Sequence, residues 1–393
     1  LSRAPAPAGS LQPAVNPLHA SLVTRIRAGG PISVEAFVEA ALYDRDHGYY
    51  RTQGAIGAAS DFITAPEVSQ VFGEAVGAWI AATWRALAAP DPVHLIEFGP
   101  GRGTLLADAL RTLSRLQPDL VAALRLHLIE TSPLLAAMQR RALADITLAA
   151  PPVWHERLDS VPEGPTIALA NEFFDALPIR QFVRAGDGWR ERRVGLAADG
   201  QALAFVAGPL AELPAGLADA AEGAAEDEII ETCPVGEELA AALATRLAAA
   251  GGAALVIDYG HARAAPGDTL QAVRGHRFAT VLERPGETDL SHHVDFQALT
   301  TAAQGAGPQA AGVTTHGPIP QGLFLGRLGA GERAEALAEA ATDPAQAQAI
   351  VGAVRRLLHP GRMGLLFKAF AIAGSGLGPL PGFAPSARGQ RRE

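Results

Sequence analysis

Apolar positions recur first with helical spacing and then in an alternation of strands and helices. Leu18, Leu22, Val23 and Ile26 share one face of a helix predicted over 18–28, which Gly29-Gly30-Pro31 ends. Ser33 caps a second helix over 34–42, with apolar residues at 34, 37, 38, 41 and 42. Residues 43–63 read as a loop carrying Gly48, Gly54 and Gly57. A third helix is expected from Pro66 to Trp84, its apolar face formed by Val68, Val71, Phe72, Ala75, Val76, Trp79 and Ile80. Strands are then predicted at 93–97, 125–130, 152–155 and 166–170, with helices at 104–116 and 132–143. That alternation argues for a parallel sheet covered by helices, an α/β fold.

Three segments, 181–183, 189–194 and 202–206, break the alternation. They read as antiparallel strands joined at Gly186-Asp187-Gly188 and Asp199-Gly200, an insertion decorating the sheet. Beyond it come a helix at 237–249, a buried strand at 254–258 ending in Asp258-Tyr259-Gly260, helices near 296–303, 330–341 and 344–358, and a closing strand at 365–372. The expected organisation is a flexible leader over 1–16, a helical N-terminal part over 17–90, a core over 91–372 with the β insertion near 181–206, and a flexible tail over 373–393.

Composition narrows the function classes. A net charge of −9, with no run of Lys and Arg and Lys368 the only lysine, argues against generic nucleic-acid binding. No apolar run reaches the ~18–20 residues of a membrane span. The start of the chain lacks a hydrophobic signal core, which fits a bacterial cytoplasm. Cys233 is the single cysteine, so folding relies on no internal disulfide. It reads as a small buried residue before Pro234.

The candidate chemistry lies at predicted strand ends, where α/β sheets bind ligands. Glu97-Phe98-Gly99-Pro100-Gly101-Arg102-Gly103-Thr104 joins a strand to a helix. A dinucleotide turn would place its third glycine at position 104, which is Thr. Acid-x-Gly-x-Gly-x-Gly is instead the pattern of S-adenosylmethionine methyltransferases, with glycines letting backbone approach the methionine and ribose portions. Glu97 is expected to orient the turn by accepting bonds from its amides, and Glu130 to accept the ribose hydroxyls or to help the following helix start. Asn171-Glu172-Phe173-Phe174-Asp175 follows a strand, and a helical turn there would put Glu172 and Asp175 on one face as a cation site. Asp61, Thr64 and Glu67 form a second polar cluster, in which Thr64 as cap and Glu67 can close a capping box. Adjacent His292 and His293 point opposite ways on an extended segment, so no metal is expected.

Taken together these segments resemble the MidA methyltransferases, a family that includes a mitochondrial complex I assembly factor that methylates arginine. The matching stretches are Gly29-Gly30-Pro31-Ile32-Ser33, His47-Gly48-Tyr49-Tyr50, Asp61 to Glu74, the glycine turn, Leu128-Ile129-Glu130, Asn171 to Pro178, Gly188-Trp189-Arg190-Glu191, Asp258-Tyr259-Gly260-His261, Thr288-Asp289-Leu290, Val294-Asp295-Phe296 and Met363-Gly364. Ser60 stands where the family usually has glycine, and Asn171 where it often has histidine. The resemblance implies a class I, Rossmann-like S-adenosylmethionine methyltransferase sheet, and symmetric dimethylation of an arginine in a respiratory complex I subunit. Under it, Glu172 is the first choice to orient the guanidinium and accept its proton, with Asp175, Glu67 and Asp258 in support. Glu97, Gly99, Pro100, Gly101, Gly103, Thr104, Glu130, Asn171, Asp61 and Thr64 would hold the cofactor. A different acceptor, or an assembly chaperone that binds the cofactor without turnover, are the alternatives.

Overall fold

The computed structural model describes residues 16–52, 64–186 and 188–384; Asp61, most of the expected leader and the last residues of the expected tail lie outside them. The strands of the central sheet are labelled in chain order: β1 (Val93–Phe98), β2 (Leu124–Ile129), β3 (Val153–His155), β4 (Thr166–Asn171), β5 (Gly252–His261), β6 (Thr314–Pro320) and β7 (Phe367–Ala373). Their order is β6-β7-β5-β4-β1-β2-β3, with Val294–Asp295 pairing beside the end of β5. β5, β4, β1, β2 and β3 run parallel, whereas β7 is antiparallel to both β5 and β6. Strand order reverses between β1 and β4, which opens a crevice at their carboxyl ends.

β1 is buried along its whole length, as a strand covered on both faces must be. Its alternate residues serve two cores. Val93 and Leu95 pack with the helices Gln70–Ala86 and Thr104–Leu116, while Ile96 and Phe98 pack with Pro234–Ala250 and Phe296–Gln304. A second, antiparallel sheet carries Arg180–Ala185, Gly188–Leu196 and Leu203–Ala211. It extends beyond the expected insertion, because Ile229–Thr232 pairs at one side and Ile32–Ser33 at the other. The helices Pro17–Gly29 and Val34–Tyr43 share a core with it and with Ala176 and Ile179, beside the crevice. Asn16 and Ser33 cap these helices, each accepting a backbone N–H in the first turn.

The structure departs from sequence expectation where local signals compete. The third helix is two, Ala65–Val68 and Gln70–Ala86, because Ser69 turns extended (φ −161°) and its hydroxyl accepts from Val71 N at 3.2 Å. Tyr49–Thr52 forms a helical turn within the segment read as loop. β6, Ile229–Thr232 and a small sheet of Gln271–Arg274, Arg277–Ala279 and Asp289–Ser291 were not anticipated; these are short strands in which partners, rather than apolar alternation, dictate pairing.

Candidate active site

The crevice is built from four chain segments. The glycine turn leaves β1 with Gly99, Gly101 and Gly103 all at positive φ (55°, 53° and 83°), a path that side chains with a Cβ resist. At Gly99 there is also no room: a Cβ would meet the Phe173 ring at 2.8 Å. The turn leads into Thr104–Leu116.

Gln139, fully buried, ties this turn to the end of β2. Its Nε2 donates to Gly101 O at 2.8 Å and to Glu130 Oε2 at 2.9 Å, and its Oε1 accepts from Trp154 Nε1 at 2.7 Å. Glu130 Oε1 accepts from Ser132 N at 2.7 Å, so this acid also supports the start of Pro133–Ala142. Burial raises its carboxyl, against the Ser132 amide and Gln139.

After β4, Glu172 adopts a left-handed conformation (φ +50°) and the turn that follows, Phe174–Ala176, begins beyond it. Glu172 and Asp175 therefore do not share a helical face. Glu172 Oε1 accepts from Ala65 N at 2.8 Å and from Asn171 Nδ2 at 3.2 Å. Burial pushes its carboxyl up to about 7, opposed by these two donors and by the Arg356 charge. Asp175 is buried, its carboxyl raised by burial with the Tyr259 hydroxyl pulling the other way. Asp258 is wholly enclosed: Oδ2 accepts from the amides of Phe173, Phe174 and Asp175 at 3.0–3.2 Å, and Oδ1 from Tyr259 N at 2.9 Å. It clamps the turn from beneath and does not reach the crevice.

The polar cluster before Gln70–Ala86 behaves differently from a capping box. Thr64 makes no side-chain cap bond. Glu67 instead accepts from Thr104 Oγ1 at 2.7 Å, fastening Ala65–Val68 to the helix behind the glycine turn. Glu97 also departs from expectation. Its Oε2 is buried without a partner rather than bonded to turn amides, and burial pushes the carboxyl up to about 8. Asn171 Oδ1 is likewise buried and unpartnered.

Two adjoining cavities share Gly99, Gly101 and Glu172. The smaller, about 50 Å³, is lined by Thr64, Glu67, Glu97, Pro100, Thr104 and Asn171 among others. The larger, about 520 Å³, holds Glu130, Ile129, Leu135, Arg157 and Phe173, and is walled by Glu35, Glu39, Tyr43 and Tyr50 of the N-terminal helices. Tyr43 is fixed there by donating to Ala176 O at 2.9 Å, and Tyr50 by donating to Asp289 Oδ1 at 3.2 Å. The tyrosines, Arg51 and Gln139 were missed as site residues. The buried spacing of Leu135, Ala136 and Gln139 was the one available signal for the last. Among the described residues no group of three His, Cys, Asp or Glu is arranged to hold a metal. His292 is buried and His293 packs edge-on to Tyr259.

The residues present fit S-adenosylmethionine. Unpartnered Glu97 Oε2 and Asn171 Oδ1 can receive the cation-bearing methionine portion, a glycine turn without Cβ atoms can admit it, and Glu130 with the apolar Ile129 and Leu135 can receive an adenosine.

Comparison with known proteins points to the same cofactor. Residues 75–319 match a family described as S-adenosyl-L-methionine-dependent methyltransferases. The mitochondrial protein arginine methyltransferase NDUFAF7 of Mus musculus is 37% identical over 380 residues, covering 91% of this chain and 84% of its own. Its Homo sapiens counterpart is 34% identical over 378 residues, with 91% and 83% covered. A crystal structure of a COG1565 superfamily member from Burkholderia thailandensis, bound to S-adenosyl-homocysteine, superposes with a TM-score of 0.77 at 30% identity, covering 93% of this chain and 94% of that one. The chain belongs to this family of S-adenosyl-L-methionine-dependent methyltransferases.

Proposed function

We propose that the protein transfers methyl groups to an arginine side chain of a polypeptide, with Glu172 as the acid that receives the guanidinium. The observation that carries this reading is the placement of Glu172: a half-buried carboxylate held through Oε1 by Ala65 N and Asn171 Nδ2, at the junction of the two cavities. The names of the arginine-methylating relatives support the acceptor class.

A guanidinium is protonated at any working pH, so its nitrogen lone pair is unavailable until a base takes the proton. Bound S-adenosylmethionine supplies a methyl already activated by its sulfonium. The chain's task is then to orient one guanidinium nitrogen and to draw off its proton as the new N–C bond forms. Glu172, raised toward neutrality by burial, is suited to both. Asn171 fixes its Oε1, and Asp258 holds the turn that follows it. In this reading Asp175 and Glu67 are positioning residues, and Asp258 acts through the backbone. Gly99, Pro100, Gly101, Gly103, Thr104, Glu97, Glu130, Asn171 and Thr64 hold the cofactor; Asp61 is assigned the same role from the family resemblance alone. Two successive transfers to different terminal nitrogens would give the symmetric dimethyl product, and the family resemblance favours a respiratory complex I subunit as acceptor.

The test is incubation of the purified protein with methyl-labelled S-adenosylmethionine and cognate complex I subunits, followed by mass spectrometry. Label on arginine, lost in Glu172→Gln, is expected. Label on lysine, on a small molecule or on nothing would overturn the acceptor assignment.

A further inference from the structure

The carboxyl edge of the sheet is occupied asymmetrically. The glycine turn and Glu130 lie at β1 and β2, Glu172 follows β4, and beyond β4 come β5 and then β7. Because β7 is antiparallel, it is its start that lies at this edge, with Phe367 paired to Tyr259 and Lys368 to Asp258. Immediately before Phe367, the segment Pro360–Gly364 and the helix Pro344–Leu358 enclose a groove of about 850 Å³ lined by Arg355, Arg356, His359, Arg362 and Leu366.

This groove gathers exposed arginines and aliphatic side chains. Arg355, Arg356 and Arg362 are exposed and form no ion pair or side-chain hydrogen bond among the described residues, on a chain of net charge −9. Exposed Val351, Leu365 and Leu366 accompany them, each with about half its surface open (46%, 53% and 53%). The helix Pro344–Leu358 also touches Ala65–Val68, whose first amide holds Glu172, and the Arg356 charge acts on the Glu172 carboxyl. A guanidinium approaching Glu172 would meet the like charge of Arg356, which an anion on its own chain would offset. The patch is too small to track a nucleic-acid backbone, and it mixes cations with half-exposed aliphatic groups as a peptide-docking surface does.

We propose that this groove docks the acceptor polypeptide through Asp or Glu side chains flanking the target arginine, with Leu365 and Leu366 taking apolar neighbours. The inference rests on the arginine-methylation reading and adds a sequence preference to it: an arginine within an acidic, partly aliphatic segment.

The test uses the full chain and two fluorescein-labelled peptides, one with a central arginine among aspartates and leucines, the other with asparagines in place of the aspartates. The acidic peptide is expected to bind about tenfold more tightly, the sum of three weak ion pairs, and to weaken with salt. The triple variant Arg355→Ala, Arg356→Ala, Arg362→Ala should bind both peptides alike while keeping its S-adenosyl-homocysteine affinity and melting temperature. In the charge-reversed pair Arg355→Glu, Arg356→Glu, a peptide with lysines in place of the aspartates should recover binding. Equal binding of the two peptides by the wild type, no loss in the triple variant, or Arg-dependent capture of anionic vesicles without capture of the acidic peptide would each overturn the proposal. Methyl transfer separates the two readings. Docking without arginine methylation overturns the function alone. Arginine methylation whose KM is indifferent to the triple variant overturns the docking surface alone.

Discussion

One sheet carries two rows of titratable side chains with opposite fates. Across β1, β2 and β3 runs a chain of imidazoles: His94 Nδ1 lies 2.9 Å from His127 Nε2, His127 Nδ1 2.9 Å from His155 Nε2, and His155 Nδ1 2.9 Å from Ser160 Oγ. At the carboxyl edge stand the acids Glu97, Glu130 and Glu172, with the amide of Asn171 between them. Both rows are shifted toward neutrality by burial. The histidines satisfy one another and, among the described residues, line none of the cavities reported above. The carboxyl edge instead leaves Glu97 Oε2 and Asn171 Oδ1 unpartnered against a cavity. Burial and shifted protonation are common to the two rows; unmet hydrogen-bonding capacity beside open space is what singles out a site.

The largest effect should come from breaking the edge where it is least satisfied. Glu172→Gln is expected to reduce methyl transfer by ~10²–10⁴-fold, the usual worth of a positioned base, with S-adenosyl-homocysteine affinity near that of the wild type by calorimetry. The wild-type rate should climb as pH rises through about 7, where the carboxyl ionises, and level off above it. The residual rate of the Glu172→Gln variant should lack that step. An unchanged rate removes Glu172 from the reaction.

Next is the backbone of the edge. Gly99→Ala adds a Cβ 2.8 Å from the Phe173 ring at a residue with φ +55°. Strain of ~1–3 kcal/mol is expected, read as a lower melting temperature and roughly tenfold or greater loss of S-adenosyl-homocysteine affinity. Asp258→Asn sharpens the contrast within the edge itself. It replaces an oxygen that accepts amides with a donor facing them, at a cost of ~1–3 kcal/mol. Glu172→Gln, by contrast, removes a carboxyl whose ionised form is disfavoured by burial, so it should not lower the melting temperature at pH above about 7. If the two variants melt alike, the distinction between clamp and ligand-facing acid fails.

These cases also show what the sequence could and could not disclose. Glycines and acids at the ends of β1, β2 and β4 were legible because strand ends are positions along the chain, and period and turn residues mark them. That the sheet is mainly parallel was legible in the alternation of strands and helices, whereas the order of its strands was not. Which way a carboxylate points was not. Asp258 lies near the end of β5 and Glu172 just after β4, yet one turns inward to four amides and the other lies at the cavities. Gln139 and Tyr43 reach the crevice through contacts 38 and 133 positions distant in sequence, which no local pattern encodes. Thr64 and Glu67 had the spacing of a capping box, and the nearby Thr104 hydroxyl captured the acid instead.

The smallest effect, and the most direct comparison of the two rows, is on stability against pH. Burial lowers His127 from 6.5 to about 4, so between those values the unfolded chain binds a proton that the folded chain refuses. Stability from this row is present above 6.5 and lost as pH falls toward about 4. Glu97 has the opposite sign. Burial raises it from 4.5 to about 8, so the folded chain holds the extra proton, and its contribution is present below 4.5 and lost as pH rises through about 8. The melting temperature of the cofactor-free protein should therefore pass through a maximum between these flanks. His127→Asn should flatten the acid flank and leave the alkaline one, and Glu97→Gln should do the reverse. A variant that flattens both would mean that the two rows titrate as one network; independent flanks would show that the imidazole chain is a feature of the core and that the acids of the edge are free to answer to a ligand alone.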